Sequence, residues 1–486
     1  MKPIVAYVKQ FAEQTPDKIA IIAEDVRLSY SDLWKEVCGF AWYLQSFGFK
    51  KGSCVVVKSF PTLSFPIICL ACHLSKCIFV PIEKTMGPDG VKEVATALSA
   101  VMVISDAPVG AKCEFIDTVQ VRTIAQTQYN EDVNFSMPEL DDYCDILFTT
   151  GTTGKSKGVL LTHRAVTAAV GNTLFLDQLT DKSVYLIAVP INHASGIRKF
   201  YSTMMCGSTT VIIDGFMNLR RFYGALDNYG VTALLLPPSA VRVLLTVSSA
   251  QLQKYTNQIE VIHSGAAAFP ETDKKTLSRI FSHSHLIFAY GSSEAGCSCG
   301  YDYAEHPGMT NCVGRANPYS NVFIVNDEHY PIESSPEKLG LIAVSGDTLM
   351  TCYHNAPELT SEVLENGVLY TNDIGYIDEK GFVFMLGRKG DVINVGGLKI
   401  APVEVENIVM RYPGIIECAC FGIPDKLTGL ALKLNIVCNP EVQFEMQEFR
   451  VYLQKSLEMF KVPNVIAIVD ELPKTANGKL NRKLLE

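Results

Sequence analysis

Leu147-Phe-Thr-Thr-Gly-Thr-Thr-Gly-Lys-Ser-Lys-Gly-Val159 places five hydroxyls, three glycines and two lysines in one loop directly after a strand-like apolar run. Thr149, Thr150, Thr152, Thr153 and Ser156 offer hydroxyl donors. Gly151, Gly154 and Gly158 let backbone N–H groups approach an anion, and Lys155 and Lys157 supply positive charge. The stretch reads as a polyphosphate cradle at the end of a strand, with ATP or a similar nucleotide as its guest. A Walker-type loop needs a glycine five residues before Gly154-Lys155-Ser156, and that position is Thr149, so the pattern fails. A mobile polar linker rarely carries so dense a set of glycines, hydroxyls and lysines.

Outward from this loop, β-like runs alternate with helix-like segments: Cys54 to Val57, Cys77 to Pro81, Val101 to Ser105, Ile146 to Thr149, Val184 to Val189, Thr209 to Ile213 and Ala233 to Pro237. The alternation predicts an α/β fold with parallel-rich sheets covered by helices. From Val322 to Phe384 short strands separated by turn signals such as Asn326-Asp327 and Glu365-Asn-Gly367 predict a β-rich subdomain, about 320–387. Gly387-Arg388-Lys389-Gly390-Asp391 interrupts an apolar run and marks the expected boundary. A large N-terminal domain, 1–387, would then precede a small α+β domain, 388–486. The latter has a helix at Pro402 to Arg411, strands near Ile415 to Gly422 and Leu432 to Val437, and a helix from Gln447 to Phe460.

Composition narrows the function classes. The chain has 486 residues, a net charge of −9 and no long basic block, which argues against a nucleic-acid partner and for a small molecule. The N-terminal segment lacks the apolar core of a secretory signal, and the apolar runs are too short for a bilayer, so a cytoplasmic protein without a membrane span is expected. Fifteen cysteines in apolar contexts read as reduced, packed thiols. Cys69-Leu-Ala-Cys72-His73 matches a haem c attachment pattern but lies in a run that reads as a buried helix. Cys297, Cys299 and Cys312 lack the paired spacing of a zinc site.

Further motifs stand at strand ends, where α/β sheets bind ligands. In Phe288-Ala-Tyr-Gly-Ser-Ser-Glu294, Tyr290 can stack on a base, Gly291 permits close approach, and Glu294 can help hold the Mg²⁺ that accompanies ATP phosphates. In Tyr370-Thr-Asn-Asp-Ile-Gly375, Asp373 can accept both ribose hydroxyls, and Arg388 can reach ribose or α-phosphate. Near the C-terminus, Leu472-Pro-Lys-Thr-Ala-Asn-Gly-Lys479 presents a lysine on a glycine turn.

Taken together, the Thr/Gly/Lys loop, Tyr290-Gly-x-x-Glu294, Thr371-x-Asp373, Gly387-Arg388, Gly396-Gly397-x-Lys399, Pro402-x-Glu404-x-Glu406 and Gly478-Lys479 resemble the adenylate-forming superfamily of acyl-CoA synthetases, nonribosomal-peptide adenylation domains and luciferases. The resemblance spans essentially the whole chain. It implies that a carboxylate attacks the α-phosphate of ATP with release of pyrophosphate, and that a thiol then displaces AMP. It further implies Lys479, His193 and Glu294 as catalytic residues. The nucleotide site would comprise Thr149, Thr150, Gly151, Thr152, Thr153, Gly154, Lys155, Lys157, Gly265, Ala266, Tyr290, Gly291, Ser292, Ser293, Asp373, Arg388 and Lys399. His193, Ser264, Gly265, Gly291 and Gly296 would line an acid pocket, Gly396 and Gly397 a pantetheine tunnel, and Gly390 would be the hinge of a rotating C-terminal domain. Gly390 departs from the usual Asp or Lys there, Ser293 from threonine and Ser156 from proline.

The pocket walls read as small and apolar, with no Asp at Pro237 or Pro238 to meet an α-amino group, which favours an organic acid over an amino acid. Arg198 and Lys199 read as helix-surface charges, the alternative being a pairing with a second substrate carboxylate. Asn394-Val-Gly-Gly-Leu-Lys399 resembles acyl-CoA synthetases, favouring CoA over a carrier-protein phosphopantetheine. A catalytically silent nucleotide-binding protein and a kinase are the alternatives of another class.

Overall fold

The computed structural model describes residues 1–149, 157–265, 269–396, 398–474 and 480–485, without the side chains of Lys399 and Lys483. Of the expected site residues, Thr150, Gly151, Thr152, Thr153, Gly154, Lys155, Ala266, Gly397 and Lys479 lie outside it, as does the Lys399 side chain.

The molecule is mixed α/β, with a large N-terminal sheet domain and a smaller C-terminal one. One sheet has seven strands among the described residues, in the order Cys352–Tyr353, Lys157–Thr162, Tyr143–Thr149, Ile78–Ile82, Cys54–Lys58, Met102–Ser105 and Glu114–Asp117. Its interior is parallel, and these strands read as continuous Val/Ile runs because both faces are buried. The strand Tyr143–Thr149 turns back antiparallel into Lys157–Thr162, so the predicted phosphate loop joins two paired strands, with Thr149 opposite Lys157.

The second sheet has 14 strands among the described residues. Thr209–Ile212, Val184–Ile187, Ala233–Leu235, Val261–Gly265 and His285–Ser292 run parallel. Gly296–Asp302 then reverses direction and passes the sheet on through Cys312–Ala316 and Val383–Arg388 to Val368–Ile377, Gly340–Ser345 and Asn321–Val325. The β-rich segment near 320–387 is therefore hydrogen-bonded into the large sheet. Gly314 permits this passage: a Cβ there would stand 2.1 Å from the carbonyl carbon of Gly300.

Helix Ser64–Leu74 is buried along its whole length, as its unbroken apolar composition demands. His73, inside it, bonds Asp145 at 2.9 Å, and the Tyr201 hydroxyl donates to both Asp145 oxygens. The Cys69–Cys72–His73 pattern is thus core, with both thiols sealed from solvent. Cys297, Cys299 and Cys312 also pack as buried thiols. Among the described residues no helix is long and apolar enough to cross a membrane.

After Arg388 the chain builds a core of its own. The hairpin Ile393–Val395 with Leu398–Ile400, helices Pro402–Val409 and Met446–Ser456, and the sheet Ile415–Asp425, Gly429–Cys438 and Val465–Ile468 enclose Ile400, Val405, Leu432, Leu434, Phe449 and Leu453. Proline at the first helical position starts Pro402–Val409 without sacrificing a hydrogen bond.

Candidate active site

The ends of two neighbouring parallel strands carry Ser264, Gly265, Tyr290, Gly291 and Ser292. Gly265, the last residue of Val261–Gly265, lies opposite Ala289 in the next strand. A Cβ at Gly265 would meet the Ala289 carbonyl oxygen at 2.7 Å, so glycine is required by the close approach of the two strands. Tyr290, Gly291 and Ser292 end His285–Ser292, and Ser293 and Glu294 form the turn that follows. At Gly291 a Cβ would fall 1.9 Å from the Gly296 carbonyl oxygen. A Cβ at Gly296 would meet the Ala169 side chain at 2.9 Å and that of Thr348 at 3.0 Å. The Ser264 hydroxyl is buried without a hydrogen-bond partner among the described residues.

Asp373, on Val368–Ile377, sits opposite Arg388, the last residue of Val383–Arg388. Its Oδ1 lies 3.5 Å from Arg388 Nε, and its Oδ2 accepts from the Tyr290 hydroxyl at 2.6 Å. Burial raises the Asp373 pKa, opposed by the Tyr290 hydrogen bond and the Arg388 charge. Burial and the adjacent Asp373 charge push Tyr290 well up, so it remains a neutral donor. Three predicted residues thus form one bonded unit, with the Arg388 side chain 57% exposed at its rim.

Glu294 is tied to the phosphate-loop strands through a residue that sequence reasoning missed. Tyr353 donates its hydroxyl to Glu294 Oε1 at 2.8 Å, and Lys157 Nζ stands 4.8 Å from the centre of the Tyr353 ring. Tyr353 pairs with Val159 across the sheet, which is what places it there. The Glu294 carboxylate is a hard oxygen ligand of the kind Mg²⁺ shares with phosphates and water, so the donor chemistry fits the ion.

His193 precedes helix Ala194–Cys206 and bonds Glu83 Oε1 through Nε2 at 2.6 Å. The His193 hydrogen bond holds the Glu83 carboxyl below its usual value, against the opposing effect of burial. Glu83 was not singled out from sequence; its position just past the parallel strand Ile78–Ile82 was the available signal. Gly196 lets this helix seat closely, because a Cβ there would lie 2.5 Å from the Pro190 carbonyl oxygen.

Arg198 and Lys199 are not surface charges. Lys199 is buried and donates to Asp177 Oδ2 at 2.6 Å, while Arg198 donates to the carbonyl oxygens of Ser292 at 2.9 Å and Ser293 at 3.2 Å. The helix packs both of its sides against other elements, which turns two neighbouring cations inward.

In the C-terminal domain, Gly396 adopts φ +57°, and Gly390 has no neighbour that a Cβ would meet. Lys474 and Leu480 pair in a β-bridge on either side of the stretch that holds Lys479. Lys474 meets Glu417 at 2.7 Å, and Arg482 meets both Glu406 oxygens at 2.8 Å, so the described residues on either side of that stretch are pinned to the domain.

A family model for an AMP-binding enzyme matches residues 8–354, and one for the AMP-binding enzyme C-terminal domain matches residues 404–479. The 2-succinylbenzoate–CoA ligase of Bacillus licheniformis is 27% identical over 491 residues, covering 99% of this chain and 98% of the relative. A long-chain-fatty-acid–CoA ligase of Bacillus subtilis is 30% identical over 382 residues, covering 77% of this chain and 67% of the relative. ATP-bound MatB from Rhodopseudomonas palustris aligns with a TM-score of 0.89 at 23% identity, covering 99% of this chain and 98% of that one. MenE from Bacillus subtilis with the acyl-adenylate intermediate OSB-AMP aligns at 0.85 and 22%, with the same coverage. These alignments show a shared fold from end to end.

Proposed function

The chain belongs to the AMP-binding enzyme family, and from that footing we propose that it is an AMP-forming acid–thiol ligase acting on an organic carboxylic acid, with CoA as the thiol. In the first step a carboxylate oxygen bonds to the α-phosphorus of ATP and the bond to the β-phosphate oxygen breaks, giving acyl-adenylate and pyrophosphate. In the second, the thiol sulfur bonds to the acyl carbon, loses its proton, and AMP departs.

The observation that carries this reading is that the Asp373–Tyr290–Arg388 unit and the Glu294–Tyr353–Lys157 unit meet at one short segment, Tyr290 to Glu294, where a strand passes into a turn. Asp373 would accept the ribose hydroxyls, and Arg388 would reach the α-phosphate. The glycine- and hydroxyl-rich stretch between Thr149 and Lys157 would cradle the phosphates that leave. Mg²⁺, held by Glu294 together with ATP, would neutralise the phosphate oxygens. The acid carboxylate would lie beside His193, whose ring Glu83 orients.

Lys479 would bring positive charge to the attacking and bridging oxygens from the C-terminal domain, residues 388–486. Rotation of that domain about Gly390 would then withdraw Lys479 and present Gly396 and Gly397 to the pantetheine arm. Replacing Gly390 with proline should spare adenylate formation more than thioester formation, and equal losses in both would remove the hinge role.

CoA is favoured because the full-length relatives are CoA ligases and because of the Asn394-Val-Gly-Gly-Leu-Lys399 pattern. A carrier-protein phosphopantetheine is the second reading, on the same pattern of a thiol tunnel. The test incubates the protein with Mg²⁺, ATP, a panel of acids, and either CoA or carrier proteins. AMP with acyl-CoA is the expected product pair. ADP, or AMP with thioester only on a carrier, would contradict it.

A further inference from the structure

Arg198 and Lys199 are neighbours on helix Ala194–Cys206, yet only one has its charge cancelled by the protein. Lys199 meets Asp177, and the other Asp177 oxygen bonds His263 Nδ1 at 2.5 Å, which makes a closed, buried cluster. Arg198 faces the other way, toward the turn after Tyr290. Its Nη1 and Nη2 donate to two neutral acceptors, the carbonyl oxygens of Ser292 and Ser293. Among the described residues no carboxylate lies within 4.0 Å of it.

A guanidinium cannot shed its proton at any ordinary pH, so burial leaves an unneutralised cation rather than a neutral group. Burial works against its charged form, as the lowered pKa of Arg198 reflects. Glu294 is an inadequate partner, since one of its oxygens is occupied by Tyr353 and the remainder is assigned to Mg²⁺ and ATP. Arg198 nevertheless retains accessible surface, and five N–H donors in a fixed fork leave several to offer. It stands one helical turn and a residue past His193, at the backbone of Ser292, between two groups already assigned to the acid and nucleotide sites.

We propose that Arg198 is the specificity-determining counter-ion for a second carboxylate on the acid, so that the preferred substrate is a dicarboxylic acid with one carboxylate activated beside His193 and the other paired with Arg198. This rests on the adenylation reading above. Lys199 is excluded from the role because Asp177 and His263 already enclose it.

The test is ATP–pyrophosphate exchange with pairs of aliphatic and aryl acids that share a skeleton and differ only in a second carboxylate. It is run on the wild type, Arg198→Gln and Arg198→Lys. The wild type should prefer the dicarboxylic member of its best pair. In Arg198→Gln the ratio of kcat/KM values, dicarboxylic over monocarboxylic, should fall by at least about 30-fold, chiefly through KM, with part of the loss restored in Arg198→Lys. Weaker support of the Ser292 and Ser293 carbonyls would slow both acids alike and cancel in the ratio. An unchanged ratio would reduce Arg198 to a support for that turn and overturn the proposal. A wild type that favours monocarboxylic acids would overturn it without needing a folded variant, and would leave the adenylation reading intact. Absence of exchange with every acid would remove that reading, and this proposal with it.

Discussion

Behind helix Ala194–Cys206 lies a buried cluster, Asp177 with Lys199 and His263, in which each charge faces an opposite one. In front of it lies the candidate site, where Arg198 rests on carbonyl oxygens, Glu294 accepts from a tyrosine, and Asp373 meets Arg388 only at 3.5 Å. The first region has spent its electrostatics on the fold. The second holds Arg198 and Glu294 with neutral hydrogen bonds that fix position without cancelling charge. Such groups remain available to a charged substrate and need little reorganisation when it arrives.

The largest effect is expected at Lys479. Lys479→Ala should lower ATP–pyrophosphate exchange on the order of 10³-fold while leaving thioester formation from added acyl-adenylate within a few-fold, because the cation is assigned to the first transition state alone. Similar losses in both half-reactions would break the assignment. Next, Asp177→Asn should cost about 3 kcal/mol in urea unfolding, since Lys199 is left buried without its carboxylate, while exchange per folded molecule stays near wild type. A stable but inactive variant would place the cluster in the candidate site's chemistry.

Acid sensitivity sharpens the same point. Burial raises the Asp177 pKa, but the His263 and Lys199 charges outweigh it and bring it from 3.8 to about 2. A depressed carboxylate stabilises the fold above its unfolded value, and that contribution is lost as pH falls through the folded one. Wild type should therefore lose about 2 kcal/mol between roughly pH 4 and pH 2 that Asp177→Asn has already lost.

In the candidate site, Asp373→Ala should raise the KM for ATP by about 30-fold with an unfolding midpoint near wild type, because an accepting carboxylate is lost while the strand pairing that carries it remains. A collapse of stability instead would assign Asp373 to the fold. The smallest effect is expected at Glu83→Gln, a loss of exchange of about 3- to 10-fold at neutral pH from an imidazole held less firmly. The Glu83 carboxylate is held below 4.5, so its contribution is complete above that value and is lost only as pH falls through the lowered one.

The parallel strands were legible because burial on both faces writes itself as Val/Ile runs, and Tyr290, Glu294, Asp373 and Arg388 were legible because their motifs are local. Their supports were not. Tyr353 reaches Glu294 across 59 residues and Glu83 reaches His193 across 110, contacts that depend on sheet order rather than on any nearby pattern. The hydrogen-bonded passage from Cys312 to Phe384, which joins the β-rich segment to the large sheet, is equally non-local. Arg198 and Lys199 show the limit most plainly. Adjacent cations on a helix suggest an exposed face, and only the elements packed on either side turn them inward and separate their roles.

In the proposed reaction an acid is adenylated before any thiol takes part. Acid-dependent exchange of labelled pyrophosphate into ATP, with Mg²⁺ present and every thiol withheld, tests it most directly. Exchange should require the acid and be lost in Lys479→Ala. Exchange that appears only after CoA is added, or ADP formation without exchange, would contradict it.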